Sequence, residues 1–163
     1  MSTVVVPTRS ISERIQGNTA PIVAAVDHSA ASRAAIGEAV RLGHELDAPV
    51  VFVYVRRGPA GFFGAPVYQR RLTKAMAHAR RVLDRALDVA AGAGVHAEAE
   101  ILEGSPRRRI AELARDRDAR LVVVGSRQRR LGRSVSSAVV RAAGRPVVVA
   151  RKRRRLAAAG RAG

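Results

Sequence analysis

The chain has 163 residues, of which 47% are apolar and 26% are charged, and this composition suits one globular domain. It contains no cysteine, which excludes a disulfide framework and a thiolate metal site. No apolar run approaches the roughly 20 residues of a membrane-spanning helix, and the amino-terminal segment lacks the basic start of a signal peptide. We therefore expect a cytoplasmic protein.

The net charge of +17 is large for this length and is unevenly distributed. Residues 104–155 hold 17 Lys and Arg against 3 Asp and Glu, a net charge of +14. Such a field attracts polyanions, among them nucleotides, nucleic acids and acidic lipids. A compositional bias toward Ala and Arg explains the same excess, so charge alone does not separate a function from a solvated surface.

Hydrophobic periodicity divides the chain into alternating strands and helices. In strand 95–102, apolar residues alternate with His96, Glu98 and Glu100, which predicts one solvated face and a position near a sheet edge. The expected order is a flexible extension over 1–19, a domain over 20–151 and a basic flexible tail over 152–163. Within the domain we expect strand 21–29, a helix over about 30–46, strand 48–55, a glycine-rich loop over 56–71, a helix over 72–90, strand 95–102, a helix from 105, strand 121–124, a helix around 135–142 and strand 146–150.

This alternation predicts an α/β fold in which helices cover both faces of a parallel sheet. Ligands bind such sheets beyond the carboxyl ends of the strands, at the point where the winding reverses. Asp27 follows the apolar run of the first strand of the domain, and Gly125 follows the fourth strand. If these two strands are neighbours, the two residues line one crevice, and His28 is the one histidine placed to meet a ligand there.

Several segments of the chain resemble the universal stress protein family. They are VDHS after the first strand, FVYV in the second, LEGSP before the third helix, and LVVVGSR leading to SVSSAVV and PVVVAR. The resemblance covers about 21–151 and implies a flavodoxin-like, Rossmann-like three-layer sandwich with a five-stranded parallel sheet of order 3-2-1-4-5. It also implies a role in the stress response and a homodimer formed through the last strand, 146–150.

Many members of that family bind ATP through a motif written G-x-x-G, nine residues, then G-S/T. Its glycines let backbone N–H groups approach the phosphates, and its serine begins a helix whose N-terminus favours anions. The resemblance implies that Asp27 holds the nucleoside and that Val55 touches the base. It implies that Gly125, Ser134 and Val135 lie at the phosphates.

The corresponding loop of this chain departs from the motif. The separation between Gly125 and Ser134 is shorter, Gln128 stands at the second glycine, and Arg133 stands at the third, with Gly132 beside it. Either the loop arginines 127, 129, 130 and 133 supply side-chain contacts to phosphate instead, or they form the solvated surface of a member that has lost ATP. The candidate nucleotide site comprises Asp27, Val55, Gly125, Arg127, Gly132, Ser134 and Val135.

No other site chemistry is indicated by the sequence. The four histidines are not arranged at metal-ligand spacing, and no nucleophile has a base and an orienting group beside it. We expect no metal and no catalytic residue, with ATP as the one candidate cofactor. The predicted function is that of a non-catalytic, dimeric regulatory or binding module of the stress response. The alternative is weak binding of a polyanion, nucleic acid or acidic lipid, by the basic carboxyl-terminal half.

Overall fold

The computed structural model describes residues 4–6, 20–58, 65–126, 139 and 142–151. The predicted helix around 135–142 lies largely outside the described residues, as do the basic tail and most of the amino-terminal extension. The elements are β1 (Val4–Val6), β2 (Ile22–Ala25), α1 (Ala30–Glu45), β3 (Val50–Arg56), α2 (Ala65–Gly92), β4 (Ala97–Glu103), α3 (Pro106–Asp116), β5 (Leu121–Gly125) and β6 (Val147–Ala150).

The strands form one sheet in the order β1-β4-β3-β2-β5-β6. Five of these strands, in the order β4-β3-β2-β5-β6, are parallel. Taken alone, they confirm the predicted order 3-2-1-4-5 and the α/β fold. From β2 the chain adds β3 and β4 on one side and then β5 and β6 on the other, so the winding reverses between the neighbouring strands β2 and β5. This is the place where the crevice was expected.

Apolar side chains cover both faces of the sheet, because consecutive strand residues point to opposite sides. On one side, Ile22 and Phe52 pack with α1 and α2, and we call this the α1–α2 face. On the other, Val23 and Val51 pack with α3, and we call this the α3 face. Continuous Val, Ile and Ala runs in β2, β3 and β5 are the sequence signature of strands buried on both sides.

Strand β4 lies near one edge of the sheet, as predicted, but its acidic face is not solvated. Within the segment expected to be a flexible extension, β1 pairs antiparallel with β4, with Val5 opposite Glu100, so β4 is the second strand from that edge. Glu100 is only 4% exposed. Arg117, which follows α3, donates hydrogen bonds to Glu100 and to Glu98. Alternating acidic residues here mark an ion-pair cluster beneath the end of a helix.

The start predicted for α2 was also wrong, because the helix begins at Ala65 and includes residues assigned to a loop. Glycine and proline in the segment 56–71 favoured a loop throughout. Pro66, however, lies in the first turn of α2, where a missing backbone N–H costs no hydrogen bond. The residues that follow are compatible with a helix, so the chain turns helical well before its apolar periodicity begins.

Candidate functional site

The carboxyl ends of β2, β3 and β5 meet at one edge of the sheet. Ala25 is level with Val53 of β3 and with Val124 of β5. The N–H of Val26 donates to the carbonyl oxygen of Val53 at 2.9 Å, which extends the pairing past the end of β2. Asp27 therefore follows the carboxyl end of β2, between the ends of its two neighbours β3 and β5.

The structure brings three of the predicted site residues to this edge: Asp27, Val55 and Gly125. The remaining four, Arg127, Gly132, Ser134 and Val135, lie outside the described residues. The described edge thus contains the expected nucleoside end of the site.

Asp27 organises the turn between β2 and α1. Its carboxylate Oδ1 accepts a hydrogen bond from the Ser29 N–H at 2.8 Å, and its own N–H donates to Ser32 Oγ at 2.9 Å. Ser29 precedes α1, but its side chain makes no capping hydrogen bond. A carboxylate offers about four acceptor positions, so this turn leaves Asp27 chemically able to bond a ligand hydroxyl as well.

Gly125 lies where the backbone of α1 comes closest to β5. A Cβ atom at this position would be 2.5 Å from the carbonyl oxygen of Ala31 and 2.7 Å from its carbonyl carbon. Real side chains do not approach backbone atoms that closely, so packing alone requires glycine here. The contact holds the first turn of α1 against the carboxyl end of β5.

Val55 and its neighbour Tyr54 point to opposite faces of β3. Val55 packs on the α3 face, whereas Tyr54 packs on the α1–α2 face. Burial raises the pKa of the Tyr54 phenol, and the negative charge of Asp27 raises it further. Asp27 is therefore close enough to act electrostatically on the α1–α2 side of the edge.

A pocket of about 540 Å³ opens on that side, between the end of β3, the β2–α1 turn and α2. We call it the α2 pocket. The rings of His28 and His78 meet across it edge to face, with centroids 5.4 Å apart. Its lining residues are His28, Tyr54, Arg56, Lys74, Ala75, Ala77, His78 and Arg81.

Of these lining residues, only His28 was predicted from the sequence to lie near a ligand. Lys74, His78 and Arg81 are separated by four and three residues, a spacing that puts them on one side of a helix. That polar stripe was the available signal. It is hidden among the many other arginines of α2, and only the packing of α2 against β3 brings it to the sheet edge.

A second groove, of about 470 Å³, lies between α1 and β6, and we call it the β6 groove. Ala30, Ala34 and Gly37 form its α1 side, and Val148 and Ala150 lie on its β6 side. One side of β6 pairs with β5. Among the described strands, none pairs with its other side.

Part of the positive charge of the carboxyl-terminal half is compensated within the protein. Arg108 and Arg109 donate to the two oxygens of Glu112 at 2.6 and 2.8 Å, and Arg145 donates to Asp118 at 2.5 Å. The bond from Arg108 is the main reason that the pKa of Glu112 is lowered. An acid on the same helix thus offsets part of the charge of the arginines near the start of α3.

Two findings concern membranes and metals. Across the part of the chain that the structure describes, no helix has the length and apolar character needed to cross a bilayer. Those same residues contain no group of three or more His, Cys, Asp or Glu side chains that could hold a metal ion.

Comparison with protein families gives a match to the universal stress protein family over residues 19–151. Comparison with curated proteins gives no match. Solved structures with similar folds include the universal stress protein UspA from Lactobacillus plantarum, 27% identical with a TM-score of 0.72; the match covers 83% of this chain and 100% of that one.

Two further similar structures contain nucleotides. The universal stress protein from Archaeoglobus fulgidus in complex with dAMP is 25% identical with a TM-score of 0.64, and the match covers 80% of this chain and 96% of that one. A universal stress protein in complex with cAMP is 26% identical with a TM-score of 0.60, and the match covers 80% and 94% of the two chains. The family match spans the whole parallel sheet with its 3-2-1-4-5 order, and the chain belongs to the universal stress protein family.

Proposed function

We propose that this chain is a cytoplasmic, non-catalytic module of the stress response that binds an adenine nucleotide at the carboxyl edge of its sheet. Asp27 holds the ribose, Val55 contacts the base, and Gly125 begins the loop that receives the phosphates. Arg127, Gly132, Ser134 and Val135 complete the phosphate end. ATP is the largest nucleotide that we propose for these residues.

The main support is the meeting of Asp27, Val55 and Gly125 on three neighbouring strand ends at the switch point of the sheet. Open α/β sheets bind ligands at this place. Similar structures hold dAMP in one case and cAMP in another. An adenine nucleotide with one phosphate therefore suits the site even if the loop after Gly125 no longer holds three.

The test is a calorimetric titration with Mg-ATP and with AMP at about 0.15 M and about 0.5 M salt, because salt screens unspecific attraction to this basic chain. Tripolyphosphate is the control for charge without a nucleoside. We expect saturable nucleotide binding that persists at the higher salt and exceeds binding of tripolyphosphate. Equal heats for nucleotide and tripolyphosphate that vanish with salt would contradict the proposal.

Asp27→Asn is the informative variant, because the amide oxygen can still accept the hydrogen bond from the Ser29 N–H. It removes the charge and keeps the turn, whereas Asp27→Ala would disturb both. Asp47→Asn is the matched control: Asp47 follows α1 at the opposite edge of the sheet and has a left-handed φ of 48°, which asparagine tolerates. Nucleotide binding should weaken in the first variant and stay unchanged in the second.

We also propose that two copies of the chain associate through β6. The carbonyl oxygens of Pro146 and Ala150 accept hydrogen bonds from the N–H groups of Val122 in β5 and of Ser126, which follows β5. Because backbone groups alternate along a strand, those of Val147 and Val149 point to the other side. A second β6 can pair there, and the small residues along the β6 groove leave room for side chains of a partner copy.

Sedimentation measures this directly, since the chain has a mass of 17.4 kDa. We expect a dimer for the natural chain and a folded monomer for Val149→Pro, which removes an outward N–H without breaking the pairing with β5. Val149→Ala also removes the valine side chain but keeps the backbone N–H, so this variant should remain dimeric. A dimeric Val149→Pro variant would exclude pairing through β6.

Polyanion binding by the basic carboxyl-terminal half remains the second candidate, on account of its net charge of +14 over 104–155. The compensation of Arg108, Arg109 and Arg145 by acids weakens it. It predicts binding to nucleic acid that collapses with added salt and with removal of residues 151–163. Nucleic-acid binding that survives that truncation would count against it.

A further inference from the structure

The α2 pocket is lined by several positively charged side chains. Three of its lining residues are cationic, namely Arg56, Lys74 and Arg81, and no Asp or Glu is found among its described lining residues. Some other described arginines are paired with acids, as Arg41 is with Glu38 and Glu45. For Lys74 and Arg81, no ion pair with a carboxylate is found among the described residues. The pocket therefore keeps an excess of positive charge, because only Arg56 of its three cations is paired with an acid, Glu103.

The donors of the pocket are held in place by the fold. Arg56 ends β3, its side chain is 15% exposed, and its Nη2 is anchored by Glu103. Since a guanidinium has five N–H donors, this bond leaves donors for a ligand. His28 belongs to the β2–α1 turn, and its ring meets that of His78 on α2, whose Nδ1 lies 3.4 Å from Nη2 of Arg81. Donors from three separate elements thus converge on one space.

The size and lining of the pocket define the ligand class. About 540 Å³ falls in the range of about 300–1,000 Å³ that small-molecule sites occupy. Guanidinium, ammonium and imidazole groups together match a phosphate, which accepts several charge-assisted hydrogen bonds. The half-buried ring of Tyr54 and the methyl groups of Ala75 and Ala77 offer an apolar wall to a small organic group.

The pocket opens on the face of β3 opposite to the one on which Val55 packs. Its strand residues, Tyr54 and Arg56, point to the α1–α2 face, whereas Val55 packs on the α3 face. We infer that the α2 pocket is a second binding site, for a phosphate monoester, formed by Arg56, Lys74 and Arg81 with His28 and His78. It binds its ligand whether or not a nucleotide occupies the neighbouring site.

Histidine side-chain NMR provides a direct test, because the chain has four histidines and two of them line the pocket. His44, near the end of α1, and His96, just before β4, lie toward the opposite edge of the sheet and serve as internal references. The protein is titrated with inorganic phosphate and with glycerol phosphate at constant pH and ionic strength. We expect saturable shifts of His28 and His78, with His44 and His96 unmoved.

Two double variants separate the pocket from the general field of the protein. K74A/R81A removes two cations of the pocket, and R80A/R85A removes two exposed cations of the same helix that do not line it. Both lower the net charge equally. Losing two charge-assisted contacts should raise the dissociation constant for glycerol phosphate by about tenfold or more in the first variant, and the second should match the natural chain. Equal weakening in both would overturn the inference.

A titration with AMP distinguishes this site from the nucleotide site. A response of His28 and His78 to AMP without a response to glycerol phosphate would show a mere extension of the nucleotide site and would overturn a separate phosphate site. The Asp27→Asn variant should keep the full response to glycerol phosphate. Nucleotide binding can thus fail while the phosphate site stands, and the reverse outcome is equally visible.

Discussion

The carbonyl oxygen of Ala31 and Gly125 are so close that a Cβ atom on Gly125 would lie 2.5 Å from that oxygen. This contact joins the first turn of α1 to the end of β5, the two elements on either side of the proposed site. Packing therefore requires a glycine at position 125, where the proposed phosphate loop begins, even without a ligand. The presence of this glycine in the sequence is not by itself proof that a nucleotide binds.

Replacing Gly125 with alanine should destabilise the protein by about 1–3 kcal/mol, the usual cost of overpacking. The matched control is Gly92→Ala, because a Cβ on Gly92 meets nothing within 4 Å. Alanine there, at the carboxyl end of α2, should stabilise by no more than about 0.5–1 kcal/mol. Urea unfolding of both variants checks this pair, and a Gly125→Ala variant as stable as the natural chain would show that the close contact is wrong.

Removing Arg117 should expose the cost of the buried carboxylate of Glu100, which is 4% exposed. Arg117→Ala is expected to destabilise by about 2–3 kcal/mol, below the full cost of breaking a buried pair because the Arg117 side chain is partly exposed. Adding Glu100→Gln to this variant should recover part of the loss, since a neutral amide is cheaper to bury. Denaturant midpoints of the single and double variants measure both effects.

The control for this prediction is Arg108→Ala. Arg108 also bonds a carboxylate, that of Glu112, but its side chain is 77% exposed, and exposed pairs contribute little to stability. We expect its unfolding midpoint to match that of the natural chain. If Arg117→Ala were equally harmless, the acidic face of β4 would be solvated after all.

Tyr54 should titrate above the ordinary tyrosine pKa of about 10. Because its pKa is higher in the folded chain, Tyr54 stabilises the fold fully below about pH 10, and this contribution is lost as the pH rises through the folded-state pKa. Asp27→Asn should lower the pKa only part of the way, since burial is the larger cause. Tyrosine-selective NMR across alkaline pH measures this, and an unchanged pKa in the variant would place Asp27 far from the ring.

The β1–β4 pairing predicts the result of removing residues 1–18. The truncated chain keeps all five parallel strands and both apolar clusters, so cooperative unfolding should persist. Amides on the outer edge of β4, opposite Val4–Val6, should exchange faster, while those of β3 stay protected. Unchanged exchange in β4 would argue that β1 does not pair there in solution.

Much of the fold could be predicted because local patterns and long-range packing agree. The apolar runs of β2, β3 and β5 specify buried strands, and the alternation with helices specifies a parallel sheet. The pattern of β4 gave a wrong prediction of a solvated face, because the alternation of Glu98 and Glu100 with apolar residues is typical of a strand with one side in water. Only the three-dimensional fold supplies Arg117 as a partner, and a period-2 pattern alone does not distinguish water from a buried cation.

The site was predictable to the extent that strand ends identify it. Asp27 and Gly125 could be assigned to one edge from strand order, whereas the α2 pocket could not. Its cations come from a helix whose rotation and distance from β3 depend on the packing of Ala79 and Leu83. In a chain with 30 Lys and Arg residues, no local signal marks the few that face a pocket.

The most direct test of the proposed nucleotide site is a backbone amide NMR titration of the natural chain with AMP at about 0.5 M salt, where unspecific attraction is screened. The account predicts saturable shifts that cluster at the carboxyl edge, at Ser29, Val55 and Gly125. Residues at the opposite edge, such as Asp47 and Gly94, should not respond. Shifts that never saturate, or that cluster away from the carboxyl edge, would contradict nucleotide binding at this site.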